Sequence, residues 1–185
     1  AEAQSVVAEI ARQGGQAVAL AADLSAPEAP EALLAKTRAA LGPLGLLVNN
    51  AALFERDEAP NVTRELWDRQ MAVNLWAPFA LMHGFARQLS PNGEGVIVNL
   101  LDQRVWNLTP HFVSYTVSKA ALWTLTQTMA LALAPRIRVL GIGPGPVLKS
   151  ARKTPEAFAA QAAATPLGRP VSSEELCATL RYILA

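Results

Sequence analysis

Apolar positions along the chain fall into two alternating rhythms. One recurs at three and four residues and predicts helices; the other is short, unbroken and aliphatic, and predicts strands buried on both faces. Residues 1–12 set Val6, Val7 and Ile10 at helical spacing, and Gly14-Gly15 stops that helix. Gln16 to Ala22 reads as a short strand ending at Asp23, and Ser25-Ala26-Pro27 turns the chain into a helix from Pro27 to Leu41. Gly42-Pro43 breaks it, and Gly45 to Val48 is the next strand, followed at once by Asn49-Asn50-Ala51-Ala52. Thr63 caps the longest predicted helix, which runs to about Leu89 and is expected to kink at Pro78. A strand from Gly95 to Leu101, a helix from Val113 to Ala134 closed by Pro135, and a strand from Ile137 to Ile142 come next. Pro155 to Ala163 and Ser172 to Leu184 read as two final helices.

The order αβαβαβαβαα joins strands through long crossovers, which requires a parallel sheet. The expected fold class is α/β: a Rossmann-type doubly wound parallel sheet with helices on both faces. One domain spans residues 1–185. Such a sheet normally opens with a strand and a Gly-rich turn onto a helix N-terminus, where a dinucleotide's pyrophosphate is held. No G-x-G-x-x-G occurs in these 185 residues, and the sequence stops on a helix. The expectation is that the first strands and the last strand of the sheet are missing from this stretch.

Composition narrows the partners. The 16 basic and 15 acidic residues leave a net charge of +1, which gives no electrostatic footprint for nucleic acid or an anionic membrane. Small molecules, or further copies of the chain, are the expected partners. Cys177 is the only cysteine, so the sequence holds no disulfide framework and no cysteine cluster for a metal; a reducing, cytoplasmic setting is the expectation. His83 and His111 lack partners at ligand spacing, so no metal is expected. No apolar run approaches the roughly 20 residues of a membrane span.

Candidate chemistry concentrates between Asp102 and Lys119. Tyr115 and Lys119 are four apart in a helix-patterned run, which puts them one turn apart on one face. A phenol beside a cation ionises more readily and moves toward a useful acid–base range. Asp102 stands at the far end of the preceding strand.

These elements together resemble the short-chain dehydrogenase/reductase family. Asn49-Asn50-Ala51-Ala52 is similar to the family's N-N-A-G element, Asn74 lies where the family places a helix asparagine, Tyr115-Thr116-Val117-Ser118-Lys119 matches Y-x-x-x-K, and Pro144-Gly145 matches the P-G after the next strand. The resemblance implies an NAD(P)(H) oxidoreductase. In it Tyr115 exchanges a proton with substrate, Lys119 lowers its pKa and contacts the nicotinamide ribose, and Asn74 supports a water path. Asp23, Leu24, Asn49, Ala51, Tyr115, Lys119, Pro144, Gly145 and Val147 would contact cofactor. The loop from Leu148 to Pro166 would fold over the substrate. Trp67, Trp76 and Trp123 lie on the two long helices that pair between subunits in this family, so a homo-oligomer, tetramer or dimer, is implied.

One departure is informative. Most of the family carries serine thirteen residues before the tyrosine, where this chain has Asp102. Pteridine reductases make the same replacement, and their N-N-A-x-x-F pattern resembles Asn49 to Phe54. That resemblance implies NADP(H), with NAD(H) left open, and a pterin or folate-like substrate stacked on Phe54 and held by Asp102 and Tyr115. Two alternatives stand beside it: a reductase of another carbonyl, such as a ketone or 3-oxoacyl thioester, and a non-catalytic cofactor-binding or structural homologue.

Overall fold

Three of the aliphatic runs pair side by side. In the computed structural model, which describes residues 2–149 and 154–185, β1 (Leu46–Asn49), β2 (Gly95–Leu100) and β3 (Ile137–Ile142) form a parallel sheet in the order β1-β2-β3. Leu47 lies opposite Ile97, and Ile97 opposite Val139, so aliphatic side chains run in register across one face. On that face Ile97, Ile137 and Val139 pack against Met82 and Phe85, with Leu125, Met129 and Leu133 closing the cluster.

Helices α1 (Glu2–Arg12) and α2 (Ala29–Leu41) precede the sheet, and α6 (Pro155–Ala163) and α7 (Ser173–Leu184) follow it. Helix α3 (Arg64–Met71) begins at Thr63, whose hydroxyl accepts from Leu66 N at 3.2 Å. The expected kink takes a specific form: a π-helical turn, Ala72–Trp76, precedes α4 (Ala77–Gln88), and Pro78 sits in the first turn of α4. Proline has no N–H to give the carbonyl four residues back, that of Asn74, and its ring crowds that carbonyl. Widening the turn accommodates both effects. Helix α5 (Val113–Leu133) is the longest unbroken α-helix among the described residues. Gly84 lets α2 approach α4 closely, since a Cβ there would meet Leu34 Cδ1 at 2.5 Å. The Rossmann-type α/β class expected from the sequence is the fold observed.

Two expectations change. Gln16 to Ala22 is not a strand, because no other strand among the described residues pairs with it and an unpaired segment makes no ladder. For the same reason β1 lies at an edge, and Leu46 is 39% exposed where burial on both faces was expected; only β2 is enclosed as the pattern implied. Of the predicted elements, Ala1 and residues 150–153 of the substrate loop lie outside the described residues.

Candidate active site

Asp102, Tyr115 and Lys119 meet where β2 ends and α5 begins. The Tyr115 hydroxyl donates to Asp102 Oδ2 at 2.9 Å. Asp102 Oδ1 accepts from Arg104 N at 2.8 Å and caps the 3-10 turn Gln103–Val105. One carboxylate therefore fixes both its own loop and the phenol. Lys119 Nζ donates to the Leu100 carbonyl at 2.7 Å.

The electrostatics run against the sequence-based expectation. Burial first, then the charge and hydrogen bond of Asp102, push the Tyr115 phenol well above the ordinary tyrosine range, while Arg104 pulls it down. Burial lowers the Lys119 ammonium to about 8, and the Asp102 charge opposes that. The charge in contact with the phenol is thus an anion, and Tyr115 holds its proton at neutral pH.

A loop from β1 is clamped over the start of α5. Phe112 N donates to the Asp57 carbonyl at 2.7 Å, and Glu58 makes an antiparallel bridge with His111. Glu58 Oε1 also takes Arg56 Nη2 at 2.6 Å and lies 3.0 Å from His111 Nδ1. Phe112 adopts the left-handed region (φ 61°, ψ 47°), a strained conformation for a bulky residue, and leaves α5 without a side-chain cap of its own. The buried Asp57 carboxylate supplies one, accepting Ser114 N at 3.2 Å and the Ser114 hydroxyl in a short hydrogen bond. Gln70 Nε2 completes the network, donating to Ser114 Oγ at 2.7 Å.

The clamp stacks Phe54 on Phe112, with ring centroids 4.5 Å apart and planes within 4°, and sets Phe54 edge-on to Tyr115 at 4.6 Å. Phe54, Asp102, Gln103, Arg104 and the Pro144–Leu148 segment line a cavity of about 270 Å³, bounded by Phe158 and Gln161 of α6. Among the described residues nothing lies within 4 Å of a Cβ built on Gly145, so its backbone is open to them at that wall.

The other predicted positions separate. Asp23, Leu24 and Ala51 share a second cavity, of about 400 Å³, where Asp23 Oδ1 accepts Ser25 N at 2.9 Å and Ser25 Oγ at 2.7 Å. Asn49 turns inward and donates to Asn99 Oδ1 at 2.8 Å, and Asn99 donates to Thr126 Oγ1 at 2.9 Å. Asn74 is fully buried: its amide accepts Leu53 N at 2.7 Å and donates to the Leu53 carbonyl at 2.9 Å and Ser118 Oγ at 3.0 Å. Its side chain is committed to the loop and to α5, leaving its main-chain carbonyl, beside Pro78, as the group free of an α-helical partner. Asp57, Gln70, Arg104, Phe112 and Ser114 were not singled out by sequence. For Arg104 the available signal was its place two residues after Asp102; Asp57 and Ser114, 57 positions apart, carried none.

A family model described as enoyl-(acyl carrier protein) reductase matches residues 1–185. The chain belongs to the short-chain dehydrogenase/reductase family. That family consists of NAD(P)-dependent oxidoreductases. Among solved structures, the chain is 43% identical to FolM alternative dihydrofolate reductase 1 from Brucella canis, solved with NADP, at a TM-score of 0.93 over 98% of this chain and 72% of that one. The same protein from Brucella suis, also with NADP, gives 43% identity and a TM-score of 0.94 over 99% and 73%. A curated relative, 3beta-hydroxysteroid dehydrogenase 1 from Eggerthella lenta, is 33% identical over 98% of this chain and 72% of its own length. No helix of the described residues is long and apolar enough to cross a membrane, and no group of three metal-ligating side chains occurs among them.

Proposed function

We propose that the protein is an NADPH-dependent reductase of a pterin or folate-like substrate. The observation that carries the reading is the hydrogen bond from Tyr115 to Asp102, whose carboxylate lines a cavity together with Phe54. Serine at position 102 would offer only a hydroxyl, whereas a carboxylate can pair with adjacent ring N–H and amino groups. A flat, nitrogen-rich heterocycle between Phe54 and the Pro144–Val147 wall uses every feature of this site. The 43% identity to the two Brucella proteins supports the same substrate class and supports NADP(H) over NAD(H).

The residues present suit the cofactor at both ends. Pro144, Gly145 and Val147 form an open wall for a nicotinamide across the cavity from Asp102, to which Tyr115 is hydrogen-bonded, and Asp23, Leu24 and Ala51 share a cavity suited to the nucleoside end. When bound, the nicotinamide supplies hydride from its C4. Asp102 orients the substrate ring, and the Tyr115 hydroxyl, held protonated by burial and by Asp102, delivers the proton. Lys119 stands a turn away to hold the ribose and to stabilise the phenolate left by transfer, and the Asn74 carbonyl anchors the water path that restores the proton. Self-association is supported by exposed apolar groups on the long helices, Trp76 (50% exposed) on the π turn and Leu131 (84%) on α5. The free, exposed Cys177 suits a reducing cytoplasm.

A second reading, reduction of a ketone or thioester-linked carbonyl, is favoured by the 33% identity to a steroid dehydrogenase over nearly the whole chain. Assays of NADPH oxidation by the full-length protein with dihydropterin, dihydrofolate, simple ketones and a 3-oxoacyl thioester decide between them. Turnover of the pterins that collapses in Asp102→Ser supports the proposal. Ketone or thioester turnover that improves in Asp102→Ser overturns it, and no turnover of any substrate favours a non-catalytic homologue.

A further inference from the structure

We infer that Arg104 selects the substrate: its guanidinium receives a carboxylate carried on a chain extending from the reducible ring. The site then favours acid-tailed, folate-type pterins over pterins without such a tail. This inference rests on the pterin reading above and narrows it.

The turn that fixes Asp102 also fixes Arg104, because Arg104 N donates to Asp102 Oδ1 at 2.8 Å. From there the side chain runs outward. Its Nη1 donates to Thr109 Oγ1 at 2.9 Å, and Thr109 is exposed, so the guanidinium reaches the solvent side of the cavity that Arg104 and Asp102 both line. Its Cζ stands 4.6 Å from the Phe112 centroid and 5.7 Å from that of Phe54. Two rings and one hydroxyl thus hold the cation in place before any ligand arrives.

Arg104 also has donors to spare. A guanidinium carries five N–H groups, and a single hydrogen bond, to Thr109, uses one of them. Arg104 makes no ion pair with a carboxylate among the described residues. It is the sole cationic side chain among the described residues lining this cavity. The contrast is Arg169, on the wall of an adjoining cavity, which is already held by Glu175 at 2.7 and 2.9 Å. A half-buried guanidinium, preorganised on aromatic rings and lacking an anion, matches a carboxylate in both charge and planar fork geometry. A pterin ring whose polar edge meets Asp102 would direct a substituent on its opposite edge outward, toward Arg104.

The test compares specificity within each variant. kcat/KM is measured for dihydrofolate, whose tail ends in carboxylates, and for dihydrobiopterin, which has none, using wild type, Arg104→Gln and Arg104→Lys. The ratio of the two values is expected to fall roughly ten- to hundredfold in Arg104→Gln, the loss typical of a charged hydrogen-bonded pair, with Arg104→Lys retaining part of it. Because the ratio is taken within one preparation, partial misfolding cancels. The tail fragment alone, p-aminobenzoylglutamate, is expected to inhibit wild type competitively and Arg104→Gln at least about tenfold more weakly. Turnover of both substrates with an unchanged ratio in Arg104→Gln overturns this inference alone and leaves Arg104 as packing over Phe112. Failure of wild type to turn over either substrate overturns the pterin reading, and this inference with it.

Discussion

Tyr115 and Asp102, thirteen residues apart, share a hydrogen bond of 2.9 Å in which the phenol is the donor. That direction matters, because an anion that accepts from a phenol holds it protonated. In the proposed reduction this arrangement keeps Tyr115 ready to give a proton and raises the cost of the phenolate, so the charge left behind needs a second stabiliser. In the mechanism proposed above Lys119, one turn along α5, takes that role, while Arg104 is the cation whose charge already pulls the phenol down.

Asp102→Asn removes the charge and keeps an acceptor. Burial still raises the Tyr115 phenol, but the upward push of the carboxylate is gone, so its pKa falls. The alkaline limb of the pH profile for reduction is therefore expected to move to lower pH, while kcat/KM for a pterin drops roughly ten- to hundredfold through loss of the charged hydrogen bonds. A pH profile of kcat/KM for both proteins checks this. An unshifted limb would show that a group other than Tyr115 sets it.

Lys119 makes stability depend on pH. Its folded pKa, about 8, lies below its ordinary value of 10.5 because burial disfavours the ammonium. Below pH 8 both folded and unfolded chains carry the proton, and the burial penalty is present in full. Between pH 8 and 10.5 the unfolded chain binds more protons, so stability rises with pH through that window, by up to about 3 kcal/mol. Tyr115 acts oppositely: its raised pKa makes the folded chain the better proton binder above pH 10, where stability falls. The urea midpoint of wild type is expected to rise relative to that of Lys119→Met as pH goes from 7 to about 10.

What the sequence reveals of this site follows from which contacts are local. The i, i+4 spacing of Tyr115 and Lys119 survives because it lies within one helix, and β2 is recognisable because both its faces are apolar. Asn49 and Asn50 look alike in sequence, yet strand alternation sends Asn49 inward to Asn99, a pairing that only the register of β1 on β2 creates. The sign of the Tyr115 shift reverses for a similar reason. Helical spacing brings Lys119 to mind, but the group at the hydroxyl is Asp102, delivered by a different element. The π turn at Asn74 was legible only as a bend, since Pro78 dictates that the helix deforms and not how.

Asn74 should be sensitive to small changes. Its amide makes three hydrogen bonds that tie Leu53 and Ser118 together, and Asn74→Ala removes all three, leaving the Leu53 N–H and carbonyl without their partner while Ser118 Oγ keeps its bond to the Tyr115 carbonyl. A loss of at least about 2 kcal/mol is expected from urea unfolding. Asn74→Asp keeps the acceptor for Leu53 N but cannot donate to the Leu53 carbonyl, so it should recover little. Recovery to wild-type stability in Asn74→Asp would show that the Leu53 carbonyl is satisfied in another way.

Asp57 is the clearest case of a residue that acts on Tyr115 through another. The left-handed Phe112 leaves α5 without a side-chain cap of its own, and the Asp57 carboxylate provides it by accepting both the N–H and the hydroxyl of Ser114, the residue next to Tyr115. Asp57→Ala strands these buried donors and also removes an anion from a helix N-terminus, where negative charge is favourable. The expected cost is about 1–3 kcal/mol in unfolding free energy. Asp57→Asn keeps an acceptor for Ser114 and should restore more than half of it. Because the lost cap loosens the first turn of α5, kcat should fall in Asp57→Ala while KM changes little, and Asp57→Asn should recover kcat in step with stability. A purely structural role would leave kcat per folded molecule at the wild-type value in Asp57→Ala, so normalising activity to the folded fraction separates positioning from simple loss of protein.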